Sequence, residues 1–484
     1  MVRLRTRRRI ASVLLYGAVA ALPYLASGIL AILYTRAFSA EEYANYGIFA
    51  AVYAAMAIVL DLGLSSGLFR NYFGTGKSAI HYFSAAITGT RLIMAVALPI
   101  LAVLLYVFWD ALGVRFSQKW AFIPVLLAIA YLDRSEEVLA TICRALERHA
   151  DYAAGRLTHG IGLLLGGYIA VFVLKLGVMG ALIAWFLAEF AALLVYEVLL
   201  RRGAQLVWAK PNWPELRESL RFGLPLVPDR LAAWARLLAT RPILAHVIPA
   251  TAVGLYSFAS SLAAVPALLA SAIEFAITPI YYRRREDDDA DVFNDKIRRF
   301  AAVYAACLTP IWVVMIAFNS DVIGLITRPE YAQSSALCSV LLCATFVRVQ
   351  SMFMIRQVQF MRKTWVLPSV TIPAAVLATL LTLVLAAAYG VMAAAWVLVG
   401  IDLLIFCALA LIVHHFEGLH YPFLASLVLM LIVFACAAAI ATGVVSTDAA
   451  TVGYRLLFAA LTGAFCTIIW IWPNRALIRQ LAAR

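Results

Sequence analysis

Long apolar runs separated by short polar segments dominate the pattern along the chain. Fourteen runs can be read, at residues 10–34, 43–68, 79–108, 120–142, 152–175, 178–200, 219–247, 252–279, 298–320, 333–360, 365–388, 391–413, 422–443 and 451–472. Each is about 20 residues or longer, the length a helix needs to cross a bilayer. A transmembrane barrel would instead show short strands alternating apolar and polar positions. The pattern therefore predicts an all-α polytopic membrane protein with about fourteen spans, or twelve if two weak runs, the fourth above all, do not cross. The start, MVRLRTRRRIASVLLYGAVA, mimics a secretory signal with an Ala18-Val19-Ala20 cleavage site. Its apolar stretch continues to Tyr34, longer than the roughly 7–15 residues of such a signal, and reads as an uncleaved first helix.

Composition excludes soluble classes. The chain of 484 residues is 64% apolar and 13% charged, against about 45–50% and about 25% in soluble domains. Its mean hydropathy is +0.92. The net charge of +13 does not point to nucleic acid as a partner, because the basic residues lie in short segments between apolar runs. Their distribution instead gives orientation. With fourteen spans and a cytoplasmic N-terminus, 27 of the 39 Lys and Arg fall on the cytoplasmic side and six on the other (Arg36, Arg115, Lys119, Lys175, Arg328, Arg455). The positive-inside rule then places both termini in the cytoplasm. Six arginines remain inside spans: Arg91, Arg134, Arg230, Arg236, Arg241 and Arg348.

Seven cysteines lie in or beside apolar runs and form no CxxC pair, so neither a disulfide framework nor a zinc-cysteine site is expected. No loop is long enough for a catalytic domain, and no cofactor is expected. The run Arg283-Arg284-Arg285-Glu286-Asp287-Asp288-Asp289 lacks the spacing and turn glycine of a calcium loop. His414, His415 and His420 share a loop without the further ligands a metal would need.

Two segments carry more than hydropathy. Residues 38–73 include the turn Asp61-Leu62-Gly63-Leu64, and residues 220–284 include Arg221-Phe222-Gly223-Leu224-Pro225, Val253-Gly254-Leu255-Tyr256-Ser257-Phe258-Ala259 and Pro279. In order and spacing they resemble the Wzx-type flippases, the polysaccharide transporter branch of the multidrug/oligosaccharidyl-lipid/polysaccharide (MOP) exporter superfamily. The resemblance covers residues 10–415, and the last two spans are compatible with it. One departure is the seventh span, which carries Asp229, Arg230, Arg236 and Arg241 where family members have apolar residues. The two segments also align with each other at an offset of 209, Phe49-Ala50 on Phe258-Ala259 and Tyr72-Phe73 on Tyr281-Tyr282. Such a weak internal repeat marks transporters built of two similar halves. The resemblance implies an N-lobe over 1–205, a C-lobe over 206–415, a cavity between these two six-helix lobes, and two additional spans with a cytoplasmic tail over 416–484.

A charge at mid-membrane costs roughly 2.5–3.5 kcal/mol on the mildest scales, so such residues face a bundle interior or a wet cavity. On one continuous helix, Asp229 and Arg236 would share a face, and Arg230 and Arg241 would align about 16 Å apart. Guanidinium groups grip phosphate oxygens through a planar fork and keep their charge. Arg230, Arg236 and Arg241, with Arg91, Arg348 and Arg134, are therefore the substrate-binding candidates. The alternative is that they pair with acids on neighbouring helices, or that Arg241 snorkels outward. In the fourth span, Asp133, Arg134, Glu136 and Glu137 fit a structural ion network as well as a substrate contact. Glu189, Glu274 and Glu137 are candidates for proton or ion coupling, since buried carboxyls exchange protons in the physiological range. They serve equally as partners for the arginines. Asp61 and Glu197 lie near cytoplasmic ends and read as capping or orienting residues. Pro225, Pro228, Pro242, Pro266 and Pro279 are expected to break the seventh and eighth spans. The GxxxG pairs Gly63/Gly67 and Gly162/Gly166 suit close helix approach.

The resemblance implies a non-enzymatic flippase of the bacterial inner membrane. It would carry a polyprenyl-diphosphate-linked O-antigen, capsule or exopolysaccharide unit outward by alternating access. Its partners would be membrane lipids and, beside that glycan, a polysaccharide polymerase and chain-length proteins. A cation-coupled multidrug exporter would favour an acidic interior. A membrane glycan polymerase or transferase would need a larger outer loop than residues 319–332 provide.

Overall fold

The computed structural model describes residues 19, 22–68, 79–113, 119–203, 209–287, 290–360, 365–417, 422–441, 452–472 and 474–475. Among them the chain is helical and contains no strand. Eleven helices are long and apolar enough to cross a membrane. They correspond to eleven of the fourteen apolar runs. The first run is represented by a shorter apolar helix, the fourth holds too many charges to qualify, and the seventh is broken.

The chain divides into two compact units, one of which is Ser12–Gly254. Its helices are α1 (Leu22–Tyr34), α2 (Ala40–Asp61), α3 (Ala79–Val107), α4 (Lys119–Ala145), α5 (His149–Tyr168), α6 (Gly177–Arg202), α7 (Trp213–Gly223), α8 (Val227–Leu237) and α9 (Thr240–Val247). Helix α2 starts where its sequence says it should. The Ser39 hydroxyl accepts from the Glu42 amide at 3.2 Å, and the Glu42 carboxylate accepts from the Ser39 amide at 2.8 Å, a capping box that satisfies two exposed donors. The helix ends because Leu62 (φ 46°) and Gly63 (φ 72°) turn left-handed, which costs Gly nothing sterically. Helix α4 packs against α2, α3 and α6, and α5 packs along α6. Gly162 and Gly166 face Ala188 and Ala184 on α6 at ordinary van der Waals distance, so this GxxxG pair does bring two helices together.

The seventh run is not one helix. It ends α7 at Gly223, passes through a tight turn at Leu224–Leu226, and resumes as α8 and then α9. Pro225 lacks an amide proton and clashes with the preceding turn, so the break expected from the prolines is present. A second break at Leu238 and Ala239 separates Arg236 from Arg241. The single-helix alignment of Arg230 with Arg241 is therefore lost. Asp229 and Arg236 remain on α8 together.

The other unit contains Leu255–Arg484. Its described helices are α10 (Ala250–Asp287, begun in the first unit), α11 (Ala290–Ile326), α12 (Ser334–Phe360), α13 (Val366–Tyr389), α14 (Val391–Glu417), α15 (Phe423–Ala441) and α16 (Val452–Cys466). Helix α10 runs unbroken through Pro266 and Pro279, contrary to the expected breaks. A proline inside a membrane helix is tolerated when its neighbours satisfy the freed carbonyl. Helix α12 is the core of this unit, packed by α11, α14 and α15. Trp312 on α11 is fully buried and donates to the Leu342 carbonyl of α12 at 3.0 Å. Arg455, counted by sequence as lying outside a span, is 1% exposed on α16 and binds Asp321 of α11 and the Ala317 carbonyl.

Candidate functional site

The two sequence motifs that carried the resemblance meet in the first unit. A Cβ on Gly63 would strike the backbone of Gly223, and one on Gly223 would strike Gly63. The Asp61-Leu62-Gly63-Leu64 turn and the Gly223-Leu224-Pro225 turn are thus in backbone contact, which only glycine allows. Beside this contact, Arg230 of α8 donates to Asp61 at 2.7 Å and to the Ser66 hydroxyl at 3.0 Å. Asp61 also accepts from the Ser65 amide and hydroxyl. It caps the following turn, as its position suggested, and orients Arg230 as well.

Further along α8, Trp234 donates to the Ala51 carbonyl of α2 at 2.8 Å, fixing which face of α8 meets α2. Arg236 and Arg241 are 9% and 8% exposed. The Arg241 guanidinium donates to the Gly47 carbonyl at 3.2 Å and lies beside Tyr46. Tyr46 in turn packs among Tyr34, Phe38 and Tyr43. Arg241 points into the helix bundle and does not snorkel. The α8–α9 segment therefore sets Arg230 and Arg241 against α2 and the turn after it, with Arg236 buried on the same segment.

The remaining arginines have carboxylate partners. Arg91 of α3 pairs with Glu197 of α6, which also binds Arg201. Arg134 pairs with the adjacent Asp133. In the second unit, Arg348 of α12 binds Asp402 of α14 at 3.0 Å. For Arg91, Arg230 and Arg348 the structure shows pairing with acids on other helices, whereas Arg134 pairs within its own helix. The side chains of Glu274 and of the Arg283–Asp287 run, together with Asp288, Asp289 and His420, lie outside the described residues.

A second polar cluster, on α4, α5 and α6, was only half visible in sequence. Glu136 and Glu137 point at α5. Arg156 contacts Glu137 at 2.6 Å and Glu136 at 3.3 Å, and Glu137 also binds Arg144. His159 Nδ1 lies 3.0 Å from Glu136, and its Nε2 lies 3.5 Å from Glu189 of α6. Trp185 donates to Glu189 at 3.1 Å. Glu136, His159 and Glu189 are buried. Sequence reading placed Arg156 among the cytoplasmic cations and overlooked His159. The missed signal was their i,i+3 spacing opposite the paired acids of the fourth run.

A family model described as "Polysaccharide biosynthesis protein" matches residues 10–284, more than half of the chain. The chain belongs to that family. Its members are flippases of the MOP superfamily, and this member is a multi-pass membrane protein of the flippase and transporter class. No curated protein sequence matches it significantly. Among solved structures it is similar to the lipid II flippase MurJ in an inward closed conformation, at TM-score 0.70 and 13% identity, covering 96% of this chain and 99% of that one. It is also similar to an inward-facing multidrug resistance MATE family transporter of the MOP superfamily, at TM-score 0.65 and 18% identity, covering 86% and 95%. The Vibrio cholerae MATE transporter VcmN in its bent form gives 0.53 and 13%, covering 89% and 99%. At these identities the likeness is one of fold.

Proposed function

We propose that this protein moves a polyprenyl-diphosphate-linked oligosaccharide across the bacterial inner membrane by alternating access, with both termini cytoplasmic. The observation that carries the reading is the burial of Arg236 and Arg241 beside Arg230 on a broken helix segment. Two buried guanidinium groups, with a third beside them at Arg230, suit a ligand with clustered negative oxygens, and a diphosphate offers several for bidentate contacts. Family membership supports a glycan as the rest of the cargo. Loading would have the diphosphate draw on Arg236 and Arg241, while Arg230 stays held by Asp61. The polyprenyl tail would remain in lipid, where its burial needs no protein.

The multidrug alternative is disfavoured by this charge. Organic cations would be repelled by the α8–α9 segment rather than concentrated there. Loss of the protein in its native host should make polyprenyl-diphosphate glycan accumulate on the cytoplasmic leaflet, read by lipid extraction and mass spectrometry. Wild-type protein should clear it, and the Arg230→Ala/Arg236→Ala double variant should not, although it inserts normally. Normal clearance by that variant would remove α8 from the substrate path.

A further inference from the structure

We infer that Glu136, His159 and Glu189 form a binding site for one divalent first-row transition metal ion of the zinc class, joining α4, α5 and α6. One donor atom from each residue lies within 4.8 Å of the others, and all three residues are buried. The proposal does not depend on which lipid the protein carries.

Three observations converge on this reading. The first is directional. With His159 Nδ1 donating to Glu136 at 3.0 Å, Nε2 presents its lone pair towards the Glu189 carboxylate 3.5 Å away. One oxygen of Glu136 and one of Glu189 also lie within 4.8 Å of each other. Lone pairs from an imidazole and two carboxylates thus face a common point. A proton relieves one such pair at a time, whereas one metal ion relieves all three.

The second observation is distance. A charge-assisted N–H···O bond would close to about 2.7–2.9 Å. Zinc bonds of about 2.0–2.2 Å set tetrahedral ligand–ligand separations near 3.3–3.6 Å. The His159–Glu189 spacing of 3.5 Å matches the second. Moreover, Glu189 Oε2 is buried without a hydrogen-bond partner, which leaves that carboxylate oxygen available as a ligand, whereas Glu136 Oε1 faces Arg156 at 3.3 Å.

Charge balance is the third. The groups facing this point are Asp133, Arg134, Glu136 and Glu137 from α4, Arg156 from α5, Glu189 and Trp185 from α6, and Tyr53 of α2, whose hydroxyl bonds Asp133. Asp133 is matched by Arg134, and Glu137 by Arg144 and Arg156, of which Arg156 also reaches Glu136. Four carboxylates thus face three guanidinium groups, and a bound cation beside Glu189 would supply the missing charge. An imidazole with carboxylates favours zinc, iron or manganese over the oxygen-seeking sodium, magnesium and calcium ions.

The test uses the full-length protein in lipid nanodiscs, stripped by a chelator and then titrated with cobalt as the spectroscopic probe and zinc as competitor. Bound metal is counted by inductively coupled plasma mass spectrometry after dialysis. The expected result is one equivalent per chain, a visible cobalt spectrum with no thiolate band, displacement by zinc, and at least about tenfold weaker binding in His159→Gln and Glu189→Gln. If those variants fail to fold, the wild-type stoichiometry and spectrum decide alone. Absence of stoichiometric binding, a thiolate band placing the ion on cysteine, or folded variants that bind as well as wild type would each overturn the site. So would protein that takes up only protons.

Discussion

Arg230 and Asp61 illustrate how little a residue's type says about its partner. Both were visible in the sequence as intramembrane charges, yet 168 positions of intervening chain separate them. Nothing in local spacing could bring them to 2.7 Å. The two ends of this pair are unequal. The Arg230 side chain is 38% exposed and Asp61 only 4%. Removing the carboxylate leaves a cation that can still reach water, whereas removing the guanidinium strands a buried anion, at a cost of about 1–3 kcal/mol. Arg230→Ala should therefore lower thermal stability in detergent more than Asp61→Asn, and the exchange Asp61→Arg/Arg230→Asp should recover part of the loss. Equal effects of the two single changes would show that the pair is not organised this way. The same reasoning separates the arginines by role. Arg91 and Arg348 sit in ion pairs that join two helices and Arg134 pairs along its own helix, whereas Arg236 and Arg241 are buried on the broken segment.

Among the elements, continuous apolar runs were readable because backbone hydrogen bonding inside lipid leaves a helix as the one local solution for an open chain. Interruptions were less readable. Pro225 lies in the turn that interrupts its run, two residues after the Gly63–Gly223 backbone contact, while Pro266 and Pro279 sit in an unbroken α10. Proline supplies the opportunity for a break and tertiary contact decides. The α4–α5–α6 cluster was hidden for a related reason. Its members lie on three helices, and Arg156 sits close enough to a helix start to pass for a loop cation. The Gly63–Gly223 contact gives the sharpest test at this scale. Gly63→Ala must place a Cβ into backbone at φ 72°, a strain of about 1–3 kcal/mol before any clash is counted. It should reduce the yield of folded protein and the melting temperature, whereas the same change at Gly400, which has open space around its Cα, should leave both within error. Similar melting of the two variants would mean that the two motifs do not meet as described.

For the whole molecule, membership in the polysaccharide biosynthesis family and likeness of fold to a lipid II flippase and to multidrug transporters agree on a transporter. They leave the cargo to be decided by chemistry. The family model ends at residue 284, so it contains the whole α8–α9 segment, where this chain concentrates charge. Sequence carried the class of molecule because span number and motif order are global properties. It carried the site less well, because each arginine's role depends on which acid lies across the bundle. The proposed function requires that the buried guanidinium groups of α8 and α9 receive a diphosphate. The most direct measurement is the rate at which purified protein in liposomes transfers a fluorescent polyprenyl-diphosphate oligosaccharide between leaflets. Wild-type protein should accelerate transfer, and Arg236→Ala/Arg241→Ala should slow it at least about tenfold, equivalent to about 1.4 kcal/mol or more, with the protein still folded. Unchanged transfer by that variant, or transport of an organic cation in place of the lipid, would contradict the account.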